Sequence, residues 1–223
     1  MKYIWLCLLS LVVAAVFIYC EHEEKYVPAV ILKGTASLLF VITGFLSGKM
    51  NPSGISSTII IGLLLGCIAD VLLNLRFVFP RKGQMIFLVG IVVFLSGHIA
   101  YLAALLPLIK SRIMVLVISI ILTALLMIWI FKRITAKMAF KIFGVVYIGA
   151  IMAMNCVACA NLIQAPSAFS AVYMAGAFLF LISDIVLILN TFGSKTRFSM
   201  RITNLSLYYI GQILIALSLQ LVK

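Results

Sequence analysis

Two carboxyl groups dominate the chemistry open to this chain. Of its five acids, Glu21, Glu23 and Glu24 share one short segment, and only Asp70 and Asp184 lie inside long apolar runs. An ionised carboxylate in hydrocarbon costs at least about 2.5 kcal/mol on insertion scales, so intramembrane acids face a cavity or a partner and are functional candidates by default. Desolvation disfavours their charged form. Two such groups at matched depth, in unlike surroundings, form a pair in which one supplies a proton while the other stays ionised.

Further polar side chains recur at helical spacing near the aspartates. Gly62, Gly66, Asp70 and Asn74 form a small-to-polar stripe, which lets a neighbouring helix approach closely. Phe94, His98 and Tyr101 share a face, as do Tyr147, Ile151 and Asn155, and Tyr208, Tyr209 and Gln212. These faces are expected to enclose one polar pocket. Asp70 and Asp184 are the expected catalytic groups, and Lys33, Asn74, His98, Tyr101, Tyr147, Asn155, Ser183, Tyr208, Tyr209 and Gln212 are expected to bind substrate or orient water. The plainer reading makes the tyrosines, Asn155 and Gln212 interhelical hydrogen-bonding residues, and lets Lys33 and Lys141 snorkel to the headgroups.

Missing motifs prune the alternatives. A catalytic zinc takes three protein ligands, and the chain has two histidines, one of them His22 in the acidic segment. There is no G-x-S-x-G elbow and no Walker-type phosphate loop. Cys156-x-x-Cys159 lies in an apolar stretch without further ligands, and Cys7, Cys20 and Cys67 are likewise scattered through apolar segments. Neither metal nor cofactor is expected, nor a disulfide framework.

The elements that position these residues follow from composition. The chain has 223 residues, 65% hydrophobic and 10% charged, with a net charge of +12, whereas soluble domains run at about 45–50% apolar and about 25% charged. Stretches of about 20 apolar residues span a bilayer, and eight occur, at 3–20, 28–48, 56–75, 84–106, 112–131, 138–160, 169–190 and 203–222. The first resembles a signal peptide, but Tyr19 before Cys20 is too large for a cleavage site, so it is read as a helix. The expected fold is all-α: one polytopic transmembrane domain over residues 1–223.

The 17 Lys and Arg fall in short clusters between these stretches, which sets orientation and gives no nucleic-acid surface. Alternate loops carry Lys25, Arg76, Arg81, Lys82, Lys132, Arg133, Lys137, Lys195, Arg197 and Arg201 on one side, against Lys2, Lys49, Lys110, Arg112 and Lys223 on the other. The richer side is expected to be cytoplasmic, with both termini outside. The third and seventh spans then run in the same direction, with their aspartates at similar depth. Ala69-Asp70-Val71-Leu72 rhymes with Ser183-Asp184-Ile185-Val186, and Lys33 and Lys141 each stand near the start of a span. This suggests a parallel four-plus-four repeat, an arrangement known among membrane folds.

Several segments together resemble the YhhN-like lysoplasmalogenase family of eight-helix membrane proteins. They are Gly66 to Leu73, then Phe87 and Gly90 through Phe94 to Tyr101, Gly176 to Asp184, and Tyr209 to Ala216. The chain departs from the family pattern at Ala69 and Gly34, where a Gly and a Pro are usual. The resemblance implies a bacterial inner-membrane enzyme that hydrolyses the vinyl ether bond of a lysophospholipid, lysoplasmalogen, to a fatty aldehyde and a glycerophospho head. Its partners are then the lipid substrate and the bilayer, with Lys33 holding the phosphate and His98, Tyr101 and Gln212 orienting water or phosphoglycerol. The competing class is a proton-coupled carrier using the same two aspartates.

Overall fold

The computed structural model describes residues 3–222. Lys2 and Lys223, used above in the charge comparison, lie outside them. The described chain is a bundle of eight helices, each long and apolar enough to cross a membrane: α1 (Ile4–His22), α2 (Tyr26–Met50), α3 (Gly54–Val78), α4 (Gly83–Leu105), α5 (Arg112–Phe131), α6 (Met138–Gln164), α7 (Ala168–Phe192) and α8 (Phe198–Ser218).

Most helices overrun the apolar stretches that announce them. Helix α8 begins five residues earlier than expected, at Phe198, and α1 extends through Glu21 to His22. Glu21 therefore belongs to a helix rather than to a loop with Glu23 and Glu24. Polar residues continue a helix wherever they find partners, and Glu21 finds Arg201.

The correspondence between the halves is more extensive than the aspartates indicate. The spacing from Asp70 to Asp184 also separates Pro52 from Pro166, Ser53 from Ser167, Gly62 from Gly176, and Gly97 from Gly211. Ser53 caps α3 by accepting from the Ser56 amide, and Ser167 caps α7 by accepting from the Ser170 amide. A Ser or Thr cap satisfies an amide that the first turn leaves free. In both halves a second serine returns to the preceding loop, Ser56 Oγ to the Asn51 carbonyl and Ser170 Oγ to that of Ala165, each at 3.2 Å. Lys33, however, corresponds to Tyr147 and not to Lys141, which stands six residues earlier in α6.

Glycines also set the tightest helix pair in each half. A Cβ on Gly97 would lie 3.1 Å from the Gly62 carbonyl oxygen, and one on Gly176 would lie 2.7 Å from that of Gly211. Only glycine allows α3–α4 and α7–α8 to approach so closely. Neighbouring helices pack in chain order within each half, and the halves join through the equivalent pairs α2–α8 and α4–α6.

The first helix breaks this symmetry. Helix α1 packs on α2 and on α8, with Ser10 Oγ donating to the Ala36 carbonyl, whereas α5 packs along α6 and leaves α4 largely uncovered. Consequently 67% of the apolar core of α8 is buried, against 28% for its counterpart α4.

Candidate active site

Between the two halves lies a cleft of about 110 Å³. This is below the roughly 300–1,000 Å³ of an ordinary ligand pocket, and it admits a few waters or the reacting part of a larger molecule. Lys33, Asp70, Asn74, Tyr147, Asp184 and Tyr208 line it, between walls that include Phe87, Phe94, Phe140 and Phe143. Arg76, in the last turn of α3, and Arg201, in the first turn of α8, line it at the basic end. Both aspartates are buried, 2% and 3% exposed.

The two carboxyls occupy equivalent backbone positions in unlike surroundings. Asp70 forms an ion pair with Lys33 Nζ at 3.2 Å and accepts from Ser37 Oγ at 2.6 Å and from the Tyr208 hydroxyl at 2.5 Å. Asp184 accepts from the Tyr147 hydroxyl at 2.5 Å, its one side-chain donor among the described residues. The repeat explains the contrast residue by residue. Lys33 corresponds to Tyr147, Ser37 to Ile151 and Tyr208 to Phe94. Thus the second half keeps one neutral donor and replaces the other two with hydrocarbon. A buried carboxylate with a cation and two hydroxyls is compensated, while one with a single phenol is not.

Lys33 does not snorkel. It is 4% exposed, held by Asp70, with its ammonium also 3.4 Å from Asn74 Oδ1. Its charge is committed to the carboxyl, which leaves the phosphate-binding role expected of it without a free cation.

None of the other expected site residues lines the cleft, and all are buried. His98 sits among rings, with centroids 4.7 Å from Phe180, 5.6 Å from Tyr147 and 5.8 Å from Phe94, and among the described residues neither ring nitrogen has a hydrogen-bond partner. Tyr101 donates to Gln212 Oε1 at 2.9 Å, leaving Gln212 Nε2 unpartnered. Tyr209 is buried with a free hydroxyl, and Asn155 turns back to the Ile151 carbonyl. Ser183 points away from Asp184 and clasps α8, donating to the Asn204 carbonyl at 2.9 Å and accepting from Asn204 Nδ2 at 2.8 Å. The single pocket expected from the helix faces is therefore a cleft lined by some of these residues, with the rest buried outside its lining. Buried polar atoms without partners are usual sites for internal water.

Sequence reasoning missed Ser37, Arg76, Arg201 and Asn204. Ser37 stands one turn beyond Lys33 on the same face of α2, a helical spacing that marks it as a neighbour of the lysine's partner.

Fold and site together define a multi-pass membrane protein of eight helices, with two buried carboxyls lining one cleft between its halves. A family model matches residues 28–219, and the chain belongs to the YhhN family. The matched region begins after α1. Searches of curated proteins and of solved structures returned no match.

Proposed function

We propose that the protein is a membrane-embedded hydrolase that cleaves the vinyl ether bond of a lysoplasmalogen, with Asp184 as general acid and Asp70 as the ionised partner. The observation that carries this reading is the pairing of two equivalent, buried carboxyls in one cleft with unequal compensation. Asp70, with its ammonium and two hydroxyls, is built to remain a carboxylate. Asp184 has no cation, and an uncompensated carboxylate in a low-dielectric interior is costly, so it is the member that carries the proton.

The reaction uses both. Asp184 delivers its proton to the β-carbon of the vinyl ether, where the C=C π pair forms the new C–H bond, and a lone pair of the ether oxygen shared with the α-carbon gives an oxocarbenium ion. The Asp70 carboxylate offsets that cation, as the second carboxylate does in glycoside hydrolysis. Water adds to the cationic carbon, its proton returns to the Asp184 carboxylate, and the hemiacetal C–O bond breaks as Asp184 protonates the departing glycerol oxygen and the hemiacetal hydroxyl gives up its proton, leaving a fatty aldehyde and the glycerophospho alcohol. Of the residues expected to orient water, His98 and Gln212 keep unpartnered polar atoms, and Tyr101 fixes the Gln212 amide, so these are the groups that would hold the nucleophilic water. The basic end of the bundle is the cytoplasmic side of a bacterial inner membrane, which puts both termini outside.

The carrier reading draws on the same aspartates, but α3 and α7 run unbroken through them, whereas transporter sites are often built on interrupted helices. The decisive experiment is aldehyde release from lysoplasmalogen by purified protein in detergent, where no gradient exists. Release that depends on both aspartates supports the hydrolase; substrate movement only in sealed vesicles under a proton gradient rejects it.

A further inference from the structure

The cleft has two flanks related by the repeat, and only one is closed. Over the α2–α8 seam lies α1: Glu21 grips Arg201 through both oxygens, at 2.7 and 2.9 Å, and His22 stacks on Phe198 with centroids 3.9 Å apart. Among the described residues no helix covers the equivalent α4–α6 seam at the same end. There Phe87 and Phe140 meet with centroids 6.1 Å apart. Phe143, a lining residue of the cleft, is 39% exposed on the outer surface of α6. One wall of the cleft is thus also the surface that touches lipid chains. At Gly144, one residue further, an added Cβ would meet only the Met127 methyl, at 3.8 Å.

Three cations line the cleft, and two are neutralised, Lys33 by Asp70 and Arg201 by Glu21. Arg76 is the third. Among the described residues it has no carboxylate partner and no side-chain hydrogen bond, and its guanidinium carbon lies 4.6 Å from the ring centroids of both Phe77 and Phe87. A guanidinium stacked on rings keeps its N–H edge free, and that fork matches a phosphate bidentately. Arg76 also stands six residues beyond Asp70, about 9 Å along α3, a separation that a glycerol unit and a long arginine side chain can bridge.

We propose that Arg76 and the α4–α6 seam form a lateral binding site for a single-chain amphiphile with an anionic phosphate head, the guanidinium holding the phosphate and the chain leaving past Phe143 and Gly144 into the bilayer. This rests on the hydrolase reading only for the identity of the lipid. The site presents the first carbons of the chain to the aspartates and needs no passage through water.

The test uses ligands that cannot be hydrolysed, so it stands apart from turnover. Binding of a saturated 1-alkyl lysophospholipid, the matching 1-alkylglycerol without phosphate, and inorganic phosphate is measured on the purified full chain by native mass spectrometry. The wild-type protein is expected to hold the lysophospholipid at least about tenfold tighter than the alkylglycerol. Arg76→Gln should erase that preference while leaving alkylglycerol binding unchanged, Arg76→Lys should retain part of it, and Arg81→Gln, exposed at the same end, should leave it intact. Gly144→Leu should weaken both lipids. A phosphate preference that survives Arg76→Gln overturns the proposal. So does inorganic phosphate binding as tightly as the lysophospholipid, which would make this a free-phosphate site. If Arg76→Gln does not fold, a reduced preference in Arg76→Lys still supports the proposal and full retention rejects it. Loss of aldehyde release with binding intact would count against the hydrolase reading alone.

Discussion

The two halves of this protein place the same backbone around two aspartates and then dress it differently. In the first half Asp70 is held by an ammonium and two hydroxyls; in the second Asp184 is held by one phenol. A repeat that kept both sites alike would carry two compensated carboxylates, neither of them suited to hold a proton and act as the acid of a pair. Divergence at three positions, Lys33 with Tyr147, Ser37 with Ile151 and Tyr208 with Phe94, creates the unlike pair. The halves also diverge in cover, because α1 seals one seam and α5 leaves the other bare.

The contrast is broken most severely at the acid. Asp184→Asn keeps the shape and the tyrosine contact but cannot donate the proton, and general acid catalysis is commonly worth about 10²–10⁴ in rate. Aldehyde release should therefore fall by about three orders of magnitude, with the folded protein's thermal stability in detergent unchanged or raised. An Asp184→Asn variant that releases aldehyde at a near wild-type rate would reject the role.

The next effect is on stability and separates the halves directly. Lys33→Met leaves Asp70 buried without its cation, and breaking a buried ion pair from one side costs about 3–5 kcal/mol. Its counterpart change, Tyr147→Phe, removes one neutral hydrogen bond, worth about 1 kcal/mol net. Unfolding of both variants in the same detergent should show this inequality. Equal losses would mean that Asp70 is no more compensated than Asp184.

Between these sits the glycine seam. Gly176→Ala drives a methyl against the backbone of α8, at the Gly211 oxygen and the Ile215 amide, and overpacking of this kind costs about 1–3 kcal/mol. Gly54→Ala, at the start of α3, meets nothing within 4 Å and should leave the melting temperature unmoved.

Sequence exposed the aspartates and the spans because both depend on the cost of charge in hydrocarbon, which any residue string records. It exposed which side chains share a helix face, but not which face meets which neighbour. Hence Lys33 could be placed near the headgroups when α2–α3 packing turns it into Asp70, and Ser183 could be placed beside Asp184 when it turns to Asn204. The correspondence of Lys33 with Tyr147 was hidden for a different reason. Matching by chemistry selects Lys141, whereas the repeat preserves position and lets chemistry change. The sealing role of α1 was equally illegible, since an apolar helix records nothing of where it docks beyond a lone Glu21 in its last turn.

The smallest change is also the one that would make the halves converge. Phe94 corresponds to Tyr208, the residue that donates to Asp70, so Phe94→Tyr puts a hydroxyl on the second half where the first already has one. The ring already packs among Tyr147, Phe180 and His98, so the cost to stability is that of seating one oxygen, below about 1.5 kcal/mol if it finds the carboxylate. A second donor favours the ionised form of Asp184, so less of the protein carries the proton the reaction needs, and kcat for aldehyde release should drop by roughly tenfold, about 1.4 kcal/mol in barrier, while lysophospholipid binding through Arg76 stays the same. An unchanged kcat would show that the missing hydroxyl is an accident of packing rather than the reason the second aspartate differs from the first.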